Sequence, residues 1–569
     1  MEAQHLIPGM ATGELLFSNT GLSFWGGVSP VTGEILDRHH PLSGQRLKGK
    51  ILAIPAGRGS CSGSGVLLEL MLNGNGPAGI VFQEIEAILT LGVLVAREAF
   101  DVSIPIVVLS PENFRSLRSE VYVWLDGEKV SCSRDSAAST YQQPLQQSTP
   151  SNVRLEQSDH DALAGLRGPA VQTAMKILLH VTTLQNAEEL IDVKQAHIDA
   201  CVYTGEGGLR FATKLAHMGA KFAVPTTLNA ISVDRRRWRE LGVPETMGDP
   251  ASQLADAYLS MGAQATFTCA PYLLESAPKA DDNIGWAESN AVVFANSILG
   301  ARTQKYPDFL DVCIALTGRA PLSGCHLDAG RLPKVLIKAP DFTNSDDSIW
   351  PLLGYCIGEK AGSNIPLVCG LEQMRPTTSD LRAFGAAFAT TSSAPMFHIR
   401  GITPEAAAIP SSSLTELRQL HVTSSDLRIC FQSLNTAQDP SLGLISLGNP
   451  HFSIEECQKL SQLCASVQRH PNVKAIITTS RHVYSQAAKA GYVESLDRFG
   501  FDFVTDTCWC MIEEPIIPLN TKNLMTNSAK YAHYAPGMVE RGVHFGSLVD
   551  CVEAARQGEV RRSELEWLK

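Results

Sequence analysis

Residues 57 to 65, GRGSCSGSG, leave an apolar run, ILAIPA, and pass straight into another, VLLEL. Gly57, Gly59, Gly63 and Gly65 permit backbone shapes and close approaches that other residues resist. Ser60, Ser62 and Ser64 set hydroxyls on that backbone, with Arg58 beside them. A phosphate-cradling loop would use glycine N–H groups, but the Lys-Ser/Thr ending of a P-loop is missing. A G-x-S-x-G nucleophile elbow is only partly matched. The third chemistry makes one serine a general base or anion clamp, assisted by Arg58. Spacing leaves all three open.

Other polar clusters follow apolar runs, where open α/β sheets bind their ligands. IDVKQAHIDACVYTGEGG carries His197 and Asp199. AVPTTLNAISVD carries Thr226 and Thr227, and TNSAKYAHY carries Asn527, Ser528 and Lys530. TFTC ends in Cys269, and TDTCWC holds Cys508 and Cys510. Taken singly, each has an ordinary structural reading, such as a packed thiol, a buried histidine or a solvated lysine. Their shared position at strand ends is what marks them. No C-x-x-C pair occurs, and C-x-C is too tight for a usual zinc pair. A metal cluster would have to be assembled from distant strand ends, for example Cys269 with Cys508 and Cys510.

The elements that must position these residues alternate along the chain. KGKILAIPA, PAGIVFQ and IPIVVLS read as buried strands, with helices over 64–73 and 84–96 between them. Residues 131–152, rich in Ser, Gln, Thr and Pro, read as a linker. A helix is predicted from a Ser158 N-cap onward. Strand-like runs then recur: ELIDV, KFAVPTT, QATFTCAP, DVCIALTG, KVLIKA, IPLVCG, PMFHI, LGLISLG and VKAIITTS. The expectation is an α/β fold. A small β-rich domain over 1–130 is joined by the linker to a large multi-layer α/β part with parallel sheets over 153–569.

With 569 residues, 44% of them hydrophobic and 18% charged, the chain has sequence enough for several packed cores. A net charge of −11 argues against nucleic acid or an anionic membrane as partner. No apolar run reaches transmembrane length, and the first residues lack signal or presequence character. Fourteen scattered cysteines do not read as a secreted disulfide framework. A cytoplasmic enzyme with a small-molecule substrate is expected, as a monomer.

These stretches together resemble the aconitase X family, most closely its single-chain branch, whose members dehydrate cis-3-hydroxy-L-proline. The resemblance runs through GRGSCSGSG, IDVKQAHIDACVYTGEGGLRFA, KFAVPTTLNAISVD, MGAQATFTCAPYLLE, WAESNAVVFANSILGARTQKYPDFLDVCIALTGRAP, FHIRGITPEA, LGNPHFS and DTCWCMIEEP. It implies an aconitase-like fold, with a small swivelling domain fused ahead of the large part. It also implies an iron–sulfur cluster, 2Fe–2S ahead of 3Fe–4S or 4Fe–4S, in the large part. Cys269 and Cys508 match its ligand positions; Cys510 is the expected third ligand, with Cys369 in reserve. Ser64 is the expected base and Ser60 the next candidate, with Arg58 supporting the alkoxide. His197, Asp199, Thr226, Thr227, Asn527, Ser528 and Lys530 are the expected substrate contacts.

The implied reaction is loss of water from a 3-hydroxy imino acid to give Δ1-pyrroline-2-carboxylate. Two-chain relatives that act on mevalonate 5-phosphate carry cysteine where this sequence has Asn449. That substrate, or another small hydroxy acid, is the alternative. A cluster-bearing RNA-binding regulator is the non-enzymatic one, disfavoured by the acidic balance.

Overall fold

The computed structural model describes residues 4–133 except 39, 59, 127 and 128, and 153–568 except 343, 344, 411–416 and 562–564. Residues 134–152 of the expected linker, and Gly59 of the serine loop, lie outside the described residues. The chain divides into two compact units. The first comprises Met1–Thr226, Asp256–Ala263 and Tyr306–Ser323, and the second Thr227–Ala255, Gln264–Lys305 and Gly324–Lys569.

The first unit opens with a seven-stranded mixed sheet. Its strands are β1 (Gln4–Ile7), β2 (Ala11–Phe17), β3 (Ile51–Ile54), β4 (Gly79–Phe82), β5 (Ile106–Val108), β6 (Tyr122–Asp126) and β7 (Lys129–Ser133), in the order β1-β5-β4-β3-β2-β6-β7. The central strands β2, β3, β4 and β5 run parallel, whereas β1, β6 and β7 pair antiparallel at the two edges. Central strands buried on both faces give the unbroken apolar runs seen in the sequence.

Two helices belong to this sheet, α1 (Gly63–Leu72) and α2 (Ile88–Phe100). They pack closely because α2 carries Gly92; a Cβ there would stand 2.6 Å from the Ser64 carbonyl oxygen. Helix Pro169–Leu184 packs against Leu310–Thr317 in the same unit.

The second unit holds two parallel sheets. One orders His398–Ile399, Pro366–Cys369, Val335–Lys338 and Arg418–His421. The other orders Phe501–Thr505, Lys474–Thr479, Leu444–Leu447, Asn523–Thr526 and Gly542–Phe545. Alternate residues of this five-stranded sheet serve opposite cores. Leu444, Ile476 and Leu524 join one, while Ile445, Ile477 and Met525 join the other. From Leu444–Leu447 the chain builds outward on one side through two strands and then returns to the other side at Asn523–Thr526. That reversal opens a crevice at the carboxyl ends of the two strands.

Three expectations needed correction. DVCIALTG is helical, not a strand: Leu310–Thr317 is buried on every side, so its apolar run carries no period. QATFTCAP forms no strand but a bent segment in which Phe267 adopts φ +41°. The helix expected from Ser158 is two helices, Gln157–Leu163 and Pro169–Leu184, the first capped by Glu156 and Asp159.

Candidate active site

The serine loop lies in the first unit, between β3 and α1. Ser60 is partly exposed, whereas Ser62 and Ser64 are buried. The Ser60 hydroxyl donates to Ser62 Oγ at 3.3 Å and accepts from the Ser62 backbone N–H at 3.3 Å. Ser64 sits inside α1, and its hydroxyl donates to the carbonyls of Cys61 at 3.0 Å and Asp308 at 3.2 Å. It therefore anchors the loop to the segment around Asp308, which the Asp308 N–H reinforces by donating to the Cys61 carbonyl. Arg58 turns toward Asp37, with Nη2 at 2.8 Å from the carboxylate.

Beneath the loop stand three buried carboxyls, Asp199, Asp308 and Asp311. Asp311 accepts backbone N–H groups from Asp199 at 2.7 Å, Ala200 at 3.2 Å and Val312 at 2.7 Å. Burial still pushes it up to about 6. Asp308 rises well above the usual carboxylate range, because burial and then the charges of Asp199 and Asp311 oppose its ionisation. His197 is fully buried in the strand Ala196–Ile198, and Thr226 commits its hydroxyl to the Val224 carbonyl at 2.8 Å.

In the second unit the sulfurs gather at strand ends. Cys508 and Cys510 follow Phe501–Thr505, on a segment braced from several directions. Asp506 takes both Arg481 nitrogens at 2.6 Å, Ile231 N–H donates to the Asp506 carbonyl at 2.7 Å, and Trp509 Nε1 donates to the Leu447 carbonyl at 2.7 Å. The two thiols hydrogen-bond to each other, and Cys269 lies within electrostatic reach of Cys508. Cys510 also accepts from Asn449 Nδ2 at 3.2 Å, and Cys269 from the His451 backbone N–H at 3.3 Å.

The bond from Cys508, opposed by burial and aided by Lys530, brings Cys510 down to about 7. Burial pushes Cys269 up to about 12. The His451 ring, brought to about 4 by burial, is neutral. Its Nε2 lies 2.8 Å from the Thr507 carbonyl, so that nitrogen carries the proton and Nδ1 accepts from Thr268 at 3.2 Å.

Asn449 is placed by Gly448, whose φ is +98° and where a Cβ would meet the Thr478 carbonyl oxygen at 2.1 Å. Asn449 lines the crevice predicted by the strand order, a cleft shared with Arg382, Phe452, Asn527 and Ser528. Ser528 caps the helix Ala529–Met538 by accepting the Tyr531 N–H at 3.1 Å. Lys530, expected to meet a substrate carboxylate, is instead paired with Glu288 at 2.8 Å. Burial disfavours charge on both, and their mutual attraction overrides it: Lys530 lies well above its usual range and Glu288 below. Lys530→Met would leave Glu288 as a lone buried anion. A loss of about 3–5 kcal/mol is expected, read by denaturant unfolding at neutral pH; Lys530→Met with Glu288→Gln should recover most of it.

The expected residues thus fall into two groups. Ser60, Ser64 and Asp199 gather in the first unit, whereas Cys269, Cys508, Cys510 and Lys530 gather in the second, with Asn527 and Ser528 on the adjoining cleft. Cys369 stands apart from the sulfurs, beside Arg400, Glu372 and Lys338. Asp308, Glu288, Arg382 and His451 were not selected from the sequence as site residues, since each acquires its role from partners distant in the chain. Arg382, for instance, sits mid-helix in TSDLRAFG and reaches Glu456 at 2.7 Å.

Four domain descriptions match the chain in succession: aconitase X swivel domain over residues 1–132, first domain over 152–329, second domain over 333–432 and third domain over 442–557. The chain belongs to the aconitase X family. Among its relatives, a cis-3-hydroxy-L-proline dehydratase of Pseudomonas aeruginosa is 51% identical over 99% of this chain and 97% of that one. A phosphomevalonate dehydratase large subunit of Methanothermobacter thermautotrophicus is 31% identical, over 68% of this chain and 94% of its own. The crystal structure of Thermococcus kodakaraensis aconitase X in its holo form superposes with a TM-score of 0.64. It is 29% identical and covers 71% of this chain and 100% of that one. The mixed α/β architecture with an N-terminal swivel domain is therefore that of the aconitase X family.

An iron–sulfur cluster is the group that family membership brings into question. Among the described residues, no three His, Cys, Asp or Glu side chains are spaced to hold a single metal ion. A cluster spreads its thiolates over more than one iron, so its ligands need not converge on a point. Cys508 interacts with both Cys510 and Cys269; two of the three thiols receive N–H···S bonds and all lie near the Lys530 cation, which suits an anionic sulfur-ligated cluster. The donor set fits.

Proposed function

We propose that this aconitase X chain is a cytosolic cis-3-hydroxy-L-proline dehydratase, converting its substrate to Δ1-pyrroline-2-carboxylate and water. What carries the reading is the 51% identity to a named enzyme of that activity over nearly the whole of both chains. A second relative of the same name, from Hypocrea jecorina, is also 51% identical, over 97% of this chain.

In this reading Cys269, Cys508 and Cys510 hold the cluster. Asn449 bonds to Cys510 and supplies no fourth thiolate, so three thiolates hold the cluster, taken in this reading as the 2Fe–2S type. When bound, the cluster supplies a Lewis acid toward the C3 hydroxyl.

Ser60 is the base. Of the two serines first considered, it alone is partly exposed, and its oxygen already receives the Ser62 N–H at the start of α1. The positive end of that helix favours an alkoxide there, in place of the Arg58 cation committed to Asp37. Ser64 holds the loop rather than the proton. Asn527, Ser528 and Arg382, all on the cleft, orient the substrate carboxylate. Removing the C2 hydrogen drives the electron pair into a C2–C3 double bond as the C3 hydroxyl departs, and the enamine then tautomerises.

The test is turnover by anaerobically prepared, iron-loaded protein. Consumption of cis-3-hydroxy-L-proline, with the trans isomer and mevalonate 5-phosphate untouched, is the expected result. Turnover of mevalonate 5-phosphate, or inertness toward the cis isomer, overturns the reading.

A further inference from the structure

A serine that removes a carbon-bound hydrogen must pass that proton on before it can act again, and the first unit contains a path for it. Ser60 donates to Ser62 Oγ at 3.3 Å. The Ser62 hydroxyl reaches the Asp308 carboxyl, which in turn reaches the carboxyl of Asp199. Ser62 caps no backbone N–H of α1, so its hydroxyl has no competing structural duty at that helix end. Asp308 is only 4% exposed, and its Oδ1 lacks a partner at normal geometry, a costly arrangement for a carboxylate and a milder one for an acid.

Two neighbours hold this path in register without joining it. Asp311 is occupied by the backbone N–H groups of Asp199, Ala200 and Val312, and so fixes Asp199. Ser64 ties the loop to the Asp308 carbonyl at 3.2 Å.

We propose that Ser62 and the Asp308–Asp199 pair are the proton store of the serine base. The inference rests on the dehydratase reading given above. The pair begins with one proton between two carboxyls. The substrate C2–H bond breaks and a Ser60 O–H bond forms. As it forms, Ser60's own hydroxyl proton moves to Ser62 Oγ and Ser62's proton moves to the ionised carboxyl of the pair, so Ser60 takes the C2 hydrogen without standing as a free alkoxide. The stored proton leaves at the end of the cycle to combine with the departed hydroxide, so substrate yields enamine and water with no net change in the protein. Burial and the neighbouring Asp311 favour this single shared proton at neutral pH. The Cys201 thiol and the Tyr258 hydroxyl, which face Asp308 and Asp311, and the Cys313 thiol, which faces Asp311, lie above their usual ranges and stay neutral beside it.

Two variants and one spectrum test it. Ser62→Ala and Asp308→Asn are each expected to lower kcat by about 10²-fold with KM within about threefold, in the range of a lost proton-transfer partner. The acid limb of the kcat/KM profile should move in Asp308→Asn and stay in place in Ser62→Ala. Independently of turnover, the infrared spectrum of wild-type protein minus that of Asp308→Asn at neutral pH should leave a protonated-carboxyl band, the subtraction removing the contribution of Glu86, which burial raises to about 7. Wild-type kcat in Ser62→Ala, or absence of that band from the difference spectrum, overturns the proton store whatever the substrate proves to be. Failure of the wild-type enzyme on cis-3-hydroxy-L-proline with the band present overturns the substrate assignment instead.

Discussion

Ser60→Ala is expected to lower kcat by about 10³–10⁴-fold while leaving the bound iron unchanged, because it removes the group proposed to take the C2 hydrogen. The two serines differ in what each already does. Ser64 is fully buried, and its hydroxyl hydrogen is shared between two backbone carbonyls. Drawing it away would break the contact that holds the loop. Ser60 is partly exposed, and its oxygen faces the Ser62 N–H, a donor that strengthens as negative charge develops on the oxygen. Ser64→Ala is therefore expected to act as a loop defect, costing about 1–3 kcal/mol in stability through the unpaired carbonyls and about tenfold in kcat, far less than a lost base. Steady-state kinetics of the two variants, with circular dichroism as the fold control, decide between them. An inert Ser64→Ala beside an active Ser60→Ala would reverse the roles.

The cysteines should give an equally large effect of a different kind. Cys269→Ser, Cys508→Ser and Cys510→Ser are each expected to lose the visible absorbance and most of the iron of the reconstituted protein, and with them all measurable dehydration. A hydroxyl is harder to ionise than a thiol and binds a cluster iron less well than the thiolate these clusters use. Cys369→Ser is the control: its thiol stands among Arg400, Glu372 and Lys338, away from the other three, and it should keep both iron and activity. Full iron content in any of the first three variants would remove that residue from the ligand set. Iron loss in Cys369→Ser would reinstate the reserve ligand.

Much of this arrangement was legible in the sequence, and the rest was hidden for identifiable reasons. The apolar runs of β3, β4 and β5 and the helices between them follow from burial on both faces and from helical periodicity. Strand β2 and the outer strands β1, β6 and β7 escaped because they are only partly buried and mix polar with apolar residues. DVCIALTG reads equally well as a buried strand or a buried helix, and only its packing decides.

The strand-end rule located Cys508, Asn527 and Ser528. It could not show that Lys530 belongs to Glu288, 242 residues earlier. Asp308 lies in KYPDFLD, where nothing local marks it, and it meets Ser64 across 244 residues. The order of the serines was likewise invisible. Spacing shows three hydroxyls, whereas accessibility is a property of how α1 begins.

The central claim is that a serine removes the C2 hydrogen of a 3-hydroxy imino acid in a dehydration. Its most direct test is iron-loaded protein supplied with cis-3-hydroxy-L-proline deuterated at C2, beside the unlabelled compound, with product followed by NMR. The account predicts Δ1-pyrroline-2-carboxylate that has lost the C2 deuterium, formed with a primary isotope effect in wild-type protein and not formed by Ser60→Ala. Product from Ser60→Ala at the wild-type rate, or no product from the loaded wild-type enzyme, would contradict it.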